Sequence, residues 1–344
     1  MNRSLTSSLQ ISRRAALALS VALLGACAQM APSPDPLPSW NEGPAKEAIV
    51  QFVRKTTDSA SPQFVPPAQR VATFDQDGTL WVEQPMYAQV AFALDRVKDV
   101  VKAQPALANE EPFKAVVTGD RAAMARFTEA DLLKIVGASQ AGLTIEAFRE
   151  VVKNWAATAK HPRFQRPYTE LVYAPMVEAM KYLRANGYRT YIVTGGGQEF
   201  VRAFAEAVYG VPPEQVIGSM LKVDYSVRNG VPTLTNAPAV FFVNDKAGKP
   251  VGINMVIGQR PQAAFGNSDG DQQMLEWTTA GAGARLGMLV LHDDAQREFA
   301  YGPAAGLPES RVGTFPQSLY DEAKAKGWTV ISIKKDWKRV FGFD

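Results

Sequence analysis

Apolar positions along the chain change their rhythm several times. Residues 15–26 form an almost unbroken apolar run, and 31–44 show no periodicity. From Ala45 the apolar residues return at helical spacing (Ala45, Ile49, Phe52, Val53), predicting a helix that ends near Asp58. Ser59 to Gln69 reads as Pro-rich loop and Val71 to Phe74 as a short apolar strand. Residues 86–104, 111–136 and 144–159 carry the pattern of amphipathic helices, and Pro162 and Pro167 then break the chain. A helix over Pro175–Ala185 stops at Asn186-Gly187, and a strand over Arg189–Val193 enters Thr194-Gly195-Gly196-Gly197. Glu199–Val208 reads as helix, and Val216–Val243 as a hairpin turning at Arg228-Asn229-Gly230. Ala263–Phe265, Gly287–Leu291 and Trp328–Ile333 complete the set of strands.

Short apolar strands alternating with helices predict an α/β fold. Its doubly wound, mostly parallel sheet is of the Rossmann type, with helices on both faces. Three strands end in polar, glycine-containing loops, after Phe74, Val193 and Phe265. In such sheets ligands bind beyond the carboxyl ends of the strands. Residues 81–169 contain no strand pattern and so read as a separate helical lid, leaving 45–80 and 170–344 as the core.

Composition changes this picture mainly at the amino end. The 344 residues include one Cys, two His and 37 Lys+Arg against 34 Asp+Glu, a formal charge of +3. So small a charge gives no argument for nucleic acid, and a lone Cys excludes a Cys-based metal cluster. Residues 1–27 hold Arg3, Arg13 and Arg14, no acid, and the apolar run before Cys27. That run is well short of the ~20 residues that cross a bilayer, and it reads as an export signal. Leu24-Gly25-Ala26-Cys27 resembles a bacterial lipobox, in which the Cys becomes a lipid-bearing amino terminus. Ser12-Arg13-Arg14 leaves general and twin-arginine export both open. The Pro/Ser-rich residues 28–44 read as a tether to a membrane on the periplasmic side. Without residues 1–26 the chain holds 34 basic and 34 acidic residues, so the positive balance belongs to the signal.

The candidate chemistry lies in oxygen donors. Asp75 and Asp77 stand two apart at a strand end, on the same side of the chain, with Gln76 pointing away. Two converging carboxylates repel unless a cation or proton relieves them. Mg2+ suits an oxygen-rich site with few imidazoles and no thiolate. Gly78 lets the chain turn sharply, and Thr79 offers a hydroxyl to an anion. The glycines after Thr194, followed by a helix start, read as a seat for phosphate.

With these residues in order, the chain resembles the haloacid dehalogenase superfamily over roughly residues 45–344. Asp75-Gln76-Asp77-Gly78-Thr79 matches its first motif and Thr194 its second. A Lys, either Lys246 or Lys249, stands as its third, and Gly266 to Asp271 matches its acidic fourth. Lys249, followed by Pro250 at a helix start, is preferred. The lid is similar to the cap of phosphoserine-phosphatase-like members. The resemblance implies a phosphatase in which Asp75 is the nucleophile and Asp77 the acid and base. Thr194 and Gly195 would bind phosphoryl oxygens, and Lys249 would neutralise Asp75. It implies Mg2+ on Asp75, the Asp77 carbonyl and a fourth-motif residue. Asn267 stands where many relatives have Asp, so Asn267, Asp269 and Asp271 are all candidates. Trp81 and Glu83 follow the first motif; they read as contacts to an organic or cationic leaving group, or as a packed hinge and an exposed acid. His161 reads as surface, and His292-Asp293-Asp294 as a loop feature. The implied substrate is a small phosphoester. The rivals are phosphoryl transfer or carbon–halogen cleavage at the same site, the latter opposed by Asp77, and an envelope lipoprotein that only binds a phosphorylated ligand.

Overall fold

A computed structural model describes residues 35–344, so the expectations for the export signal and Cys27 lie outside the described residues. Seven strands form one sheet: β1 Val71–Phe74, β2 Arg189–Gly197, β3 Val216–Arg228, β4 Val231–Phe242, β5 Ala263–Gly266, β6 Leu286–Leu291 and β7 Thr329–Ser332. Their order is β4-β3-β2-β1-β5-β6-β7, and every pairing is parallel except that of β3 with β4.

The short inner strands are mostly apolar and fully buried because both faces of the sheet are covered there. Alternate residues feed two separate cores. Ala72, Phe74, Ile192, Phe265 and Met288 pack into one, with Ile49 of helix α1 (Pro44–Thr57). Val71, Val193, Ala264 and Leu289 pack into the other. This is the doubly wound α/β architecture expected from the sequence.

Between β1 and β2 lie α2 (Ala88–Ala103), α3 (Phe113–Thr118), α4 (Arg121–Met124), α5 (Glu129–Gln140), α6 (Ile145–Thr158) and α7 (Ala174–Ala185). The single helix expected over 111–136 is therefore three. Asp120 caps α4 through the Ala123 N–H, and Thr128 and Asp131 form a capping box that starts α5 afresh. The expected helix over 199–208 is likewise two short pieces, α8 (Gln198–Arg202) and α9 (Ala205–Tyr209). After β4 come α10 (Gly248–Ile257), α11 (Gln272–Thr279), α12 (Gln317–Lys326) and α13 (Ile333–Asp336).

Two expected boundaries need correction. The lid is not a separate body. Its outer helices share a small cluster of Val97, Phe113 and Ile135, but Phe92, Phe148 and Val152 join the main core. The tether expected over residues 28–44 does not extend through residues 37–44: Leu37 and Trp40 are buried, the Trp40 indole donates to the Pro175 carbonyl, and Ser39 binds Glu178. Few apolar residues without periodicity gave no sign of this docking.

The hairpin turns at Asn229 and Gly230, both with positive φ as a two-residue hairpin turn requires. Beyond its pairing with β2 it reaches the lid. There the Gly142 N–H donates to the Asn236 carbonyl, and the Asn236 N–H donates to that of Leu143.

Candidate active site

Register assembles the site. β1 lies between β2 and β5 with Phe74 level with Ile192 and Phe265, and the Phe74 and Phe265 rings stack 4.3 Å apart. The residues just beyond, Asp75, Thr194 and Asn267, therefore emerge at one rim of the sheet.

Lys249 is the hub. It sits in the first turn of α10, and its side chain is 3% exposed. Its ammonium donates to Asp75 Oδ1 at 2.5 Å, Asp271 Oδ1 at 2.6 Å and the Val193 carbonyl at 3.0 Å. That uses all three of its hydrogens. Burial pushes its pKa down, but the Asp271 and Asp75 carboxylates more than reverse this. Lys246, the other candidate, is exposed and pairs with Asp269 at 3.1 Å. The structure thus brings Lys249, and not Lys246, to Asp75.

The fourth-motif residues divide in the same way. Asp271 is buried: Oδ1 receives Lys249, and Oδ2 receives the Asn267 and Ser268 N–H groups. It shapes the loop and anchors the lysine. Asp269 is turned to Lys246. Of the three expected metal-ligating side chains, only Asn267 faces the first motif, accepting from the Thr79 hydroxyl and donating to Glu83.

The first-motif loop is tight. Gly78 has φ 72, and a Cβ there would overlap Asn267 and Glu83. Asp77 Oδ1 accepts from the Trp81 indole at 2.8 Å. Burial lifts the Asp77 pKa to about 6, although the Trp81 hydrogen bond and Lys249 hold it down. Burial and Asp271 raise that of Asp75 as well, against Lys249.

Above Gly196, the Thr194 hydroxyl, Asp77 Oδ2 and Gln89 border one small space. The seat expected from the glycines is more occupied than the sequence suggests. The Gly196 N–H donates to Thr194 Oγ1 and the Gly197 N–H to Gln89. β2 continues through Gly197, and α8 is only five residues long, so the seat gains little from a helix dipole. Gly195 borders Asp245, and its carbonyl accepts from Ser219.

Three expected contacts are corrected. Trp81 is fully buried, stacked on Phe204 at 4.8 Å, so its ring packs the hinge and offers no face to a ligand. The Thr79 hydroxyl is engaged by Asn267. Glu83 is neither exposed nor open to an approaching cation: it is 2% exposed and accepts from Tyr301 and Asn267, both at 2.7 Å. Burial first, then the charges of Asp77 and Asp75, move its pKa to about 8 against the pull of His292 and Tyr301.

Both histidines are buried too. His161 is not at the surface but bonds the Gln84 carbonyl at 2.6 Å among aromatic rings. His292 bonds Glu298 through Nδ1 at 2.9 Å and the Gly78 carbonyl through Nε2 at 2.8 Å, so it buttresses the first motif. Gln89, Asn244, Asp245, Glu298 and Tyr301 were not foreseen. Only the polar Asn244-Asp245-Lys246 run ahead of Lys249 carried a local signal.

The family comparison fits this geometry. Residues 72–276 match the model of the haloacid dehalogenase-like hydrolases, and the match holds every residue around Lys249. The chain belongs to this family. A search of curated proteins finds no match for this hydrolase. Among solved structures it is similar to a functionally unknown protein from Anaerococcus prevotii DSM 20548. That pair has 16% identity and a TM-score of 0.48, covering 73% of this chain and 86% of the other. A protein of unknown function from Bordetella pertussis Tohama I gives 16% and 0.46 over 76% and 98%. A phosphoserine phosphohydrolase-like protein from Francisella tularensis subsp. tularensis SCHU S4 gives 18% and 0.34 over 65% and 88%.

The donors suit a hard cation. Near Asp75 they are oxygens: its own carboxylate, the main chain at Asp77 and the Asn267 amide. Among the described residues no group of three or more His, Cys, Asp or Glu is arranged to hold a metal. An amide and a main-chain carbonyl completing the set are compatible with that, since Mg2+ is commonly bound through one or two carboxylates. The surplus of buried carboxylates over Lys249 also favours a cation.

Proposed function

We propose that this hydrolase is a Mg2+-dependent phosphatase of small phosphomonoesters that works through an aspartyl phosphate. The observation that supports it most is the pair at the end of β1. Asp75 is tied through one oxygen to Lys249, and Asp77 and the Thr194 hydroxyl both border Gly196. With Oδ1 held by Lys249, Oδ2 of Asp75 is left to attack phosphorus. Asp77 donates its proton to the departing alkoxide as the P–O bond breaks. A water then attacks the aspartyl phosphate while Asp77 takes the water's proton, and Asp75 is released with inorganic phosphate. The Thr194 hydroxyl, which accepts from the Gly196 N–H, would donate its own hydrogen to a phosphoryl oxygen. Lys249 orients Asp75 and favours its ionised form against burial and Asp271. Asp75, the Asp77 carbonyl and Asn267 would hold Mg2+, which when bound offsets charge on the phosphoryl group.

The basic and apolar start of the sequence, with Cys27, supports an exported enzyme anchored by lipid on the periplasmic side. Replacing Cys27 with Ser and following membrane partition of the full chain tests that address: release to the soluble fraction is expected, and unchanged partition would refute it.

The activity is tested with a panel of small phosphomonoesters, with Mg2+ and with a chelator. Phosphate release that needs Mg2+ and falls about 10⁴-fold or more in Asp75→Asn is expected. Turnover that survives Asp75→Asn would sink the covalent route, and no release from any ester would leave a binding protein.

A further inference from the structure

Asn267 brings no charge to the position where the fourth motif of many relatives supplies an acid, yet a carboxylate lies one hydrogen bond away. Glu83 reaches it from the start of the lid, 184 residues earlier in the chain. The hydrogen bonds to Glu83 from Asn267 Nδ2 and the Tyr301 hydroxyl both fall on Oε1. Gly313 packs against the same oxygen and Gly78 runs past both side chains, with no room for a Cβ at either. The arrangement fixes the amide. Its NH2 is committed to Glu83, and Oδ1, accepting one hydrogen from Thr79, keeps a second lone pair. An NH2 group that donates to a carboxylate also leaves its carbonyl oxygen more negative, and a cation held by Asn267 would favour the ionised form of Glu83 against its burial. Carboxylates behind metal-bound imidazoles act in this way.

We propose that Glu83 takes the place of the missing fourth-motif acid, orienting and polarising Asn267 as an oxygen ligand for the divalent cation. This rests on the metal-dependent reading above and assigns Glu83 a role within it. Glu83 is then a positioning residue, acting through Asn267, and not a reader of cationic substrates. Its burial beneath Gly313 and Tyr301 agrees with that, since a substrate group would have to displace both.

The test is Mn2+ binding followed by electron paramagnetic resonance in the full chain, for wild type, Glu83→Gln, Asn267→Asp and the double variant. Glu83→Gln is expected to weaken Mn2+ about 10-fold or more, the usual effect of losing such a partner. In the double variant the new acid carries its own charge, so most of the affinity should return. Unchanged affinity in Glu83→Gln, or a double variant no tighter than Glu83→Gln, overturns the proposal. If Glu83→Gln does not fold, Glu83→Asp reads the same contact, because it keeps the charge but is too short to reach Asn267. Weakened Mn2+ binding is again expected, and unchanged binding overturns the proposal. A wild-type protein that binds no Mn2+ and hydrolyses no phosphoester would overturn the metal-dependent reading itself. Binding and turnover that both survive Glu83→Gln would overturn the role of Glu83 alone.

Discussion

The floor of the site and its wall are built on different terms. The floor is Asp75, Lys249 and Asp271, on loops that leave β1 and β5 and on the first turn of α10, with each charge answered by a neighbour at 2.5 or 2.6 Å. The wall is Glu83, Tyr301, His292 and Glu298, drawn from the lid hinge and from the chain after β6 and joined by bonds of 2.7–2.9 Å. The floor concentrates charge around Asp75, the proposed nucleophile. The wall holds the first-motif loop from behind. Losses in the floor should therefore remove both fold and activity, whereas losses in the wall should first loosen geometry.

The sharpest way to break this contrast is Lys249→Met. It keeps a long apolar stem but leaves Asp75 and Asp271 buried without their cation. Breaking a buried pair from one side costs about 3–5 kcal/mol. Denaturant unfolding should show a loss of that order, with phosphate release abolished in whatever fraction remains folded. A loss under about 1 kcal/mol would mean that the carboxylates protonate or draw in another cation at little cost, and the floor would not depend on its lysine.

The wall is tested by His292→Gln, with a smaller expected loss of about 1–3 kcal/mol, the scale of disturbing a buried hydrogen-bonded group. Its pH dependence is the sharper reading. Burial pushes the His292 pKa down, but Glu298, with help from Glu83 and the Gly78 carbonyl, raises it above its ordinary value. A group whose folded-state pKa is raised gives its full stabilisation below the unfolded value of about 6.5, and that stabilisation fades as pH rises through the folded value. The difference in unfolding free energy between wild type and His292→Gln, measured with chelator present, should thus be larger at pH 6 than at pH 9. A difference that stays level would mean a neutral imidazole, and the wall would be held by hydrogen bonds alone.

The same contrast explains what could be read in the sequence. Floor residues lie close behind apolar strands or at a helix start, so local pattern places them: Asp75 after Phe74, Asp271 in the acidic loop that follows Phe265 and Gly266, Lys249 before Pro250. The sheet could be read for the same reason, because strands covered on both faces are mostly apolar. Wall residues carry no such mark. Glu83, in sequence, is one acid after Trp81, and its burial depends on Tyr301 and Gly313, more than 200 residues away. His161 and His292 looked peripheral because nothing local announces that aromatic rings or Glu298 will enclose them. Trp40 carries no such mark either, being enclosed by Pro175 of α7 and by Trp337 and not by any rhythm of its own.

The smallest expected effect comes from the floor's own edge. Lys246 is three residues from Lys249, carries the same charge and also pairs with a fourth-motif acid, Asp269. Its side chain is 58% exposed and that of Asp269 38%, so water and salt screen the pair. Exposed ion pairs contribute roughly 0–1 kcal/mol. Lys246→Ala should therefore unfold within about 0.5 kcal/mol of wild type and keep phosphate release within a few-fold. A loss of activity approaching that of Lys249→Met would move Asp269 into the working set. The boundary between floor and surface would then run one turn further out than burial places it.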